Sequence, residues 1–184
     1  EYVRRHVYPI RSTNRRASYA QRWWQYAEAR PGLREALQGK SRFIATPRVA
    51  KHRVFVWLDT DVLANDRTFI FAREDDYFLG VLHSRVHELW ALSTSSRHGV
   101  GDDPTYNNTT CFETFPFPWP PGQEPSEAED ARVAAIAQAA RELVEQRDRW
   151  LNPGTLNAKA LKSRTLTNLY NQNPTWLQLA HKKL

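Results

Sequence analysis

A single cysteine, Cys111, excludes an internal disulfide, and a zinc site would have to rely on histidines and carboxylates. No apolar run approaches the ~20 residues that a bilayer crossing needs. The first residues, Glu1 to Arg5, have neither the apolar core nor the cleavage site of a secretory leader. Internal repeats and low-complexity tracts are absent too. A composition of 41% hydrophobic and 25% charged residues is that of a folded chain, and 184 residues suffice for one sizeable domain or two small ones. The expectation is a cytoplasmic protein with no membrane contact. Because the sequence opens on Glu1 and both ends stop inside patterned sequence, it reads as a piece of a longer protein.

What is present is positive charge, unevenly placed. Residues 1–55 hold 13 of the 26 Lys and Arg against three acids (Glu1, Glu28, Glu35), a net of +10, and residues 56–184 carry a net of −4. Arg outnumbers Lys in the first third, and guanidinium forks match phosphate oxygens two at a time. A polyanion partner follows from that asymmetry. A solvated basic face, or one covering an acidic neighbour, is the plainer alternative.

The patterning predicts an α/β (α+β) fold: a mixed β-sheet domain with flanking helices over residues 1–121, then a helical module over 122–184. Ser18 to Leu37 reads as helical, with Tyr19, Trp23 and Tyr26 on one core-facing side and Arg30-Pro31-Gly32 as a break before a second short helix. Arg53 to Leu58 is apolar on both faces, as a central covered strand should be, and Thr68 to Ala72 reads the same way. Leu79, Leu82, Val86 and Leu89 mark an amphipathic helix over about Phe78 to Ser93. Ser95 to Pro104 is expected to be a long loop and Thr109 to Phe115 a strand that ends in a proline-rich exit. Beyond it Ser126 and Glu129 form a capping-box pattern, followed by a long helix whose seam is Val133, Ile136, Ala140, Leu143, Arg147 and Trp150. Asn152-Pro153-Gly154 stops it, Lys159 to Tyr170 suggests another helix, and Asn173-Pro174 an N-cap and first residue for the last.

Catalytic chemistry is hard to find in this pattern. Gly99-Val100-Gly101 is too short for a dinucleotide loop, no glycine-Lys-Ser/Thr phosphate loop exists, and Asn173-Pro174-Thr175-Trp176 only superficially echoes an adenine-methylating motif. His83 and His87, four apart with Glu88 adjacent, could reach one metal ion from one helix face, which would suit a hydrolase. Histidines flanking an apolar stripe serve a structural role just as well, and we expect no metal. Asp75-Asp76 and Asp102-Asp103 are cap and turn residues before they are an acid–base pair.

Recognition chemistry does accumulate. Arg48, Lys51, His52 and Arg53 crowd the approach to a buried strand, where a scaffold would aim them at a nucleic-acid backbone. In the following loop Arg97 offers a fork for guanine, Asn107 or Asn108 a bidentate contact for adenine, and Asp102 or Asp103 an acceptor for a cytosine amino group, with His98 among them. Turn formation alone would also explain the Gly, Asp and Asn residues there.

Three blocks in order, Ala45–Phe55 (ATPRVAKHRVF), Asp75–Trp90 (DDYFLGVLHSRVHELW) and Cys111–Pro118 (CFETFPFP), resemble the target recognition domain of large single-chain adenine-specific DNA methyltransferases, the MmeI-like type IIL restriction-modification proteins and their phage-defence relatives. The resemblance covers about Arg15 to Pro121. It implies sequence-specific binding of double-stranded DNA beside the methyltransferase catalytic domain of the same parent chain. That domain would hold S-adenosylmethionine and methylate adenine N6, and this chain would carry no cofactor and no catalytic residue. The resemblance also implies that Thr94 to Thr110 varies with the DNA target. The alternative of a different class is a protein-interaction scaffold in the same defence system, its basic face docked on an acidic partner.

Overall fold

The computed structural model describes residues 1–25, 30–154 and 157–184. Two compact units are present, Glu1–Gly39 and Lys40–Leu184.

The first unit is built of short helices: α1 (Tyr2–His6), α2 (Tyr8–Arg11), α3 (Ala17–Gln21) and α4 (Pro31–Ala36). Pro9 and Pro31 sit in first turns, where a missing N–H forfeits no helical bond. Pro31 therefore opens α4 instead of breaking a helix. None of its described residues is buried, and Tyr19 and Trp23, expected in a core, are half-buried. Their contacts are local: Tyr8 meets Trp23 edge to face at 5.0 Å, and Arg16 donates to Tyr19 Oη at 3.0 Å. Tyr26, the third member of the expected stripe, lies outside the described residues.

The second unit is organised by an antiparallel sheet of order β2-β1-β3: β1 (Arg42–Pro47), β2 (Val56–Asp59) and β3 (Thr68–Phe71). Ile44 pairs with Trp57 on one side and Phe71 on the other, and Phe43 through Thr46 are all buried. The central covered strand is therefore β1, not Arg53 to Leu58. Arg53, Val54 and Phe55 are buried without joining a ladder, because side chains bond their backbone instead. Thr46 Oγ1 donates to Val54 O at 2.9 Å, and Phe55 O accepts from His83 Nε2 at 2.8 Å and from both terminal nitrogens of Arg147 at 3.2 Å.

The expected helix over Phe78 to Ser93 is two helices, α5 (Asp76–His83) and α6 (Arg85–Thr94). Asp75 caps the first by accepting from Phe78 N at 2.9 Å, and Ser84, extended at ψ 150°, caps the second by accepting from His87 N. The break rotates the apolar seam. Leu79 and Leu82 stay buried, whereas Val86 and Leu89 are 65% and 51% exposed and His87 and Ala91 turn inward in their place.

The stretch expected as an irregular loop holds a small hairpin, β4 (Arg97–His98) with β5 (Asp103–Pro104). The strand expected at Thr109 to Phe115 is instead one turn of π-helix, Asn108–Phe112. Coiling at this point brings Cys111, Phe112 and Phe115 inward together, which alternation along a strand would prevent. Phe117 follows and stacks on Phe78 at 5.5 Å, while Phe112 meets Phe71 at 5.0 Å.

Helix α7 (Ala131–Leu151) follows the proline-rich exit. The Ser126–Glu129 pairing forms, with Glu129 Oε2 accepting from Ser126 N at 2.8 Å, but it precedes the helix, whose N-cap is Asp130. Of the expected seam, Val133, Ala140, Leu143 and Arg147 are buried and Ile136 and Trp150 half-buried. The seam lies against α5 at Gly80, where a Cβ would stand 2.6 Å from Ile136 Cγ2 and 3.0 Å from Ile136 O. Only glycine permits that approach.

Three helices complete the unit: α8 (Ala158–Leu161), α9 (Leu166–Gln172) and α10 (Thr175–His181). The polar stretch thus holds two helices, with Thr165 capping the second by accepting from Asn168 N at 3.2 Å. Asn173, expected as an N-cap, ends α9 in the left-handed conformation at φ 43°, and Pro174 takes the N-cap of α10. Leu143 of α7, Leu169 of α9, and Leu177 and Ala180 of α10 form a shared core. Residues 122–184 differ from the rest in sequence character, yet they pack within the second unit.

Candidate nucleic-acid interface

Two segments distant in sequence meet beside the sheet. After β1 the chain leaves at Pro47 and runs antiparallel to the far leg of the hairpin. Tyr106 N donates to Arg48 O at 2.7 Å, Val49 bridges Thr105, and Ala50 N lies 3.5 Å from Pro104 O. The basic block and the base of the hairpin are thus one backbone-bonded surface, although half a hundred residues separate them.

Arg53 holds that junction from inside. Its guanidinium donates to Thr46 Oγ1 (3.1 Å), to Pro47 O and to Pro104 O (3.1 Å), and lies over the Tyr106 ring at 5.2 Å from the centroid. Burial lowers its pKa, the nearby Tyr106 hydroxyl and Cys111 thiol opposing. The expectation that Arg53 meets a phosphate is therefore corrected. Both terminal nitrogens turn inward and donate to protein acceptors, which fixes the basic segment to the hairpin.

The other members of the block face outward. Arg48 and Lys51 are exposed, and Lys51 Nζ donates to Asn171 Oδ1 at 2.8 Å, an acceptor shared with His52 Nε2 at 2.9 Å. The His52 ring sits 5.9 Å from that of Tyr170. Helix α9 thereby positions two residues of the block. A further cation joins them: Arg48 N donates to Arg67 O at 2.7 Å, which sets the exposed Arg67 beside Arg48. The sequence signal for Arg67 is its place after Asn65, whose Oδ1 accepts from Arg67 N at 2.8 Å in an Asx-type turn.

Arg97 and His98 form the near leg of the hairpin and are exposed. Ser96 and Thr105 close its base through Thr105 N to Ser96 O (2.8 Å) and a hydroxyl contact of 2.6 Å. Arg97 Nη1 donates to Asp102 O at 3.2 Å across the turn. Asp102 is exposed in a left-handed conformation (φ 50°), and Asp103 is half-buried. Asn107 and Asn108 lie beyond the hairpin, at its root. Asn107 Nδ2 donates to Thr105 Oγ1 (3.3 Å), and Asn108 Nδ2 to Glu113 Oε1 (3.2 Å). The hairpin and its root thus gather the candidate base-reading side chains at one end of the sheet.

The paired histidines belong to the support, not to a shared face. Ser84 interrupts the helix between them, and each ring is engaged by protein: His83 by Phe55 O, and His87 by Leu82 O through Nδ1 (2.8 Å) and by the Tyr106 hydroxyl through Nε2 (3.0 Å). The carbonyl partner makes Nδ1 the donor, so Nε2 accepts from Tyr106 and the ring is neutral. Burial pushes the His87 pKa down to about 4, against the favourable carbonyl bond and with Arg53 adding repulsion. Burial likewise puts His83 well below its ordinary value, with Arg147 and His181 contributing. Among the described residues, no group of three or more His, Cys, Asp or Glu is placed to hold a metal ion. No helix among them is long and apolar enough to cross a membrane.

The basic loop and the polar hairpin thus present their side chains from one backbone-bonded surface. Residues 3–119 match the family described as MmeI, target recognition domain, and the chain belongs to that family. The matched span runs from α1 to the proline-rich exit and takes in both the basic loop and the hairpin. DNA methyltransferase A of Bacillus subtilis (strain 168) is 27% identical over 126 residues, 67% of this chain. The aligned part is 12% of that protein's length. No solved structure matches.

Proposed function

We propose that this chain reads a specific duplex DNA sequence for an S-adenosylmethionine-dependent adenine-N6 methyltransferase working in restriction-modification or phage defence in the bacterial cytoplasm. The observation that carries the reading is the backbone coupling of Arg48–Ala50 to Pro104–Tyr106, which gives phosphate-facing cations and base-facing side chains one fixed relation. Arg48, Lys51 and Arg67, with His52, grip the backbone. Arg97, His98, Asp102 and Asp103 enter the groove, and Asn107 and Asn108 stand at its lip. Binding of S-adenosylmethionine and methyl transfer fall to the catalytic domain of the parent chain.

Affinity of the full-length parent for a duplex carrying its methylated motif should fall steeply with salt, because each cation on a phosphate displaces condensed counterions. Arg48→Ala and Lys51→Ala should each weaken binding to all sequences alike and reduce the logarithmic salt slope by roughly one. Fluorescence anisotropy across a salt series measures both. Binding indifferent to salt would favour the scaffold reading.

One observation supports a protein contact elsewhere on the chain. Tyr2, Ile10 and Trp24 are 74%, 76% and 57% exposed on a unit that buries none of its described residues. Such apolar exposure is open to a protein partner, and we propose the catalytic domain of the same parent chain as that partner.

A further inference from the structure

The tip of the hairpin carries an apolar residue that the fold does not use. Val100 is fully exposed, the most exposed large hydrophobic side chain among the described residues, and it stands between Gly99 and Gly101. Gly99 has φ +79° and no atom within 4 Å of where a Cβ would be, so the turn runs left-handed into open space. With glycines on either side, the isopropyl group stands alone at the far end of the ribbon. The base below it is closed by Ser96 and Thr105, and Arg97 ties across to Asp102 O. The polar side chains around the tip are Arg97, His98, Asp102 and Asp103, each suited to a base edge or phosphate. A lone apolar group amid that polar rim is not the contiguous patch that protein docking exposes.

From this geometry we propose that Val100 is a specificity-determining residue that packs on the 5-methyl group of a thymine in the DNA major groove. The inference rests on the DNA-reading function above and deepens it by naming one base contact. The major groove admits a two-stranded ribbon, and thymine's methyl group is the one apolar feature it displays. Asp102 and Asp103 beside the tip would repel phosphates, which favours insertion between the backbones with the carboxylates turned to cytosine amino groups. The flanking glycines let the ribbon's backbone approach the base edges closely.

The test uses the full-length parent chain and duplexes carrying its methylated motif, in which each thymine is replaced in turn by deoxyuridine. This removes one methyl group and leaves every hydrogen bond intact. The wild type should bind about fourfold more weakly when one particular thymine is replaced, the effect of leaving one methyl group unburied. Val100→Ala should weaken binding to the thymine duplex and abolish the discrimination at that position, and Val100→Ile should retain it. A side chain this exposed can be changed without unfolding the protein, and a circular-dichroism melt of each variant checks that. If the duplex is bound with steep salt dependence but no thymine is sensitive, or the sensitivity survives in Val100→Ala, the contact is overturned while DNA recognition stands. If no salt-dependent duplex binding occurs at all, the DNA reading itself fails and the contact with it.

Discussion

Replacing Arg53 with methionine is expected to destabilise the second unit by about 2–5 kcal/mol. Methionine keeps an unbranched, flexible stem in the same space, so what is removed is chiefly the guanidinium and its donors. Pro47 O and Pro104 O then lose their charged partner, Pro104 O keeping only Ala50 N at 3.5 Å, and each hydrogen bond to a charged group is worth about 1.5–3 kcal/mol. Lysine should recover only part of this, since one ammonium cannot reach three acceptors arranged for a planar fork. Urea unfolding followed by tryptophan fluorescence should show a lower midpoint at unchanged slope. In the parent chain the same substitution should also blur base preference, because Arg53 is the internal tie between the exit of β1 and the hairpin. An Arg53→Met protein as stable as wild type, with an unchanged target, would show that Arg53 does not hold the two segments together.

Acid should unfold this chain earlier than its carboxylates alone require. His87, pushed down to about 4, is neutral in the folded protein at pH 5 and protonated in the unfolded chain, and burial holds His83 well below its ordinary value in the same direction. A depressed folded pKa gives stability that is complete above the unfolded value near 6.5 and is lost as pH falls through the folded value. Between pH 6.5 and about 4 His87 should therefore remove about 1.4 kcal/mol per pH unit, about 3 kcal/mol by the end of that window, and His83 acts in the same direction. Burial also lowers His181, whose Nε2 contacts the Tyr170 hydroxyl, so it acts in the same direction. Urea midpoints at half-unit intervals of pH measure the slope, and His87→Gln should make it shallower by one proton. Stability that stays flat from pH 7 to 4.5 would mean that these rings are not held neutral as described.

The parts of the fold that could be read from sequence are those where local pattern and burial agree. The seam of α7 repeats for five turns, and β3 is announced by its apolar run and the preceding Asn65 turn. The misreadings have physical causes. Leu79, Leu82, Val86 and Leu89 continue a helical period across Ser84, and nothing in that spacing reveals that the serine hydroxyl caps a new helix. Thr109 and Thr110 before Cys111 and Phe112 have the composition of a strand, yet converging aromatic rings from β3 and α5 reward a coil of the chain instead. Within the basic block, residue type alone marks four candidate contacts and cannot say which one turns inward. That Arg53 does so follows from Val54 and Phe55 being buried beside it. Asn171 is 120 residues from Lys51, a pairing no local pattern carries.

We propose that the hairpin reads sequence while the basic loop grips DNA without reading it. Methylome sequencing of a methylation-free host carrying the full-length parent gene, in wild-type, Arg97→Ala and Lys51→Ala forms, tests it directly. We expect one asymmetric motif with N6-methyladenine in the wild type, the same motif at lower occupancy with Lys51→Ala, and a motif relaxed at a single base position with Arg97→Ala, where losing a guanine fork costs ~1–3 kcal/mol. A motif left unaltered by Arg97→Ala but shifted by Lys51→Ala would contradict that division, and no modified adenine in any form would contradict the methyltransferase reading itself.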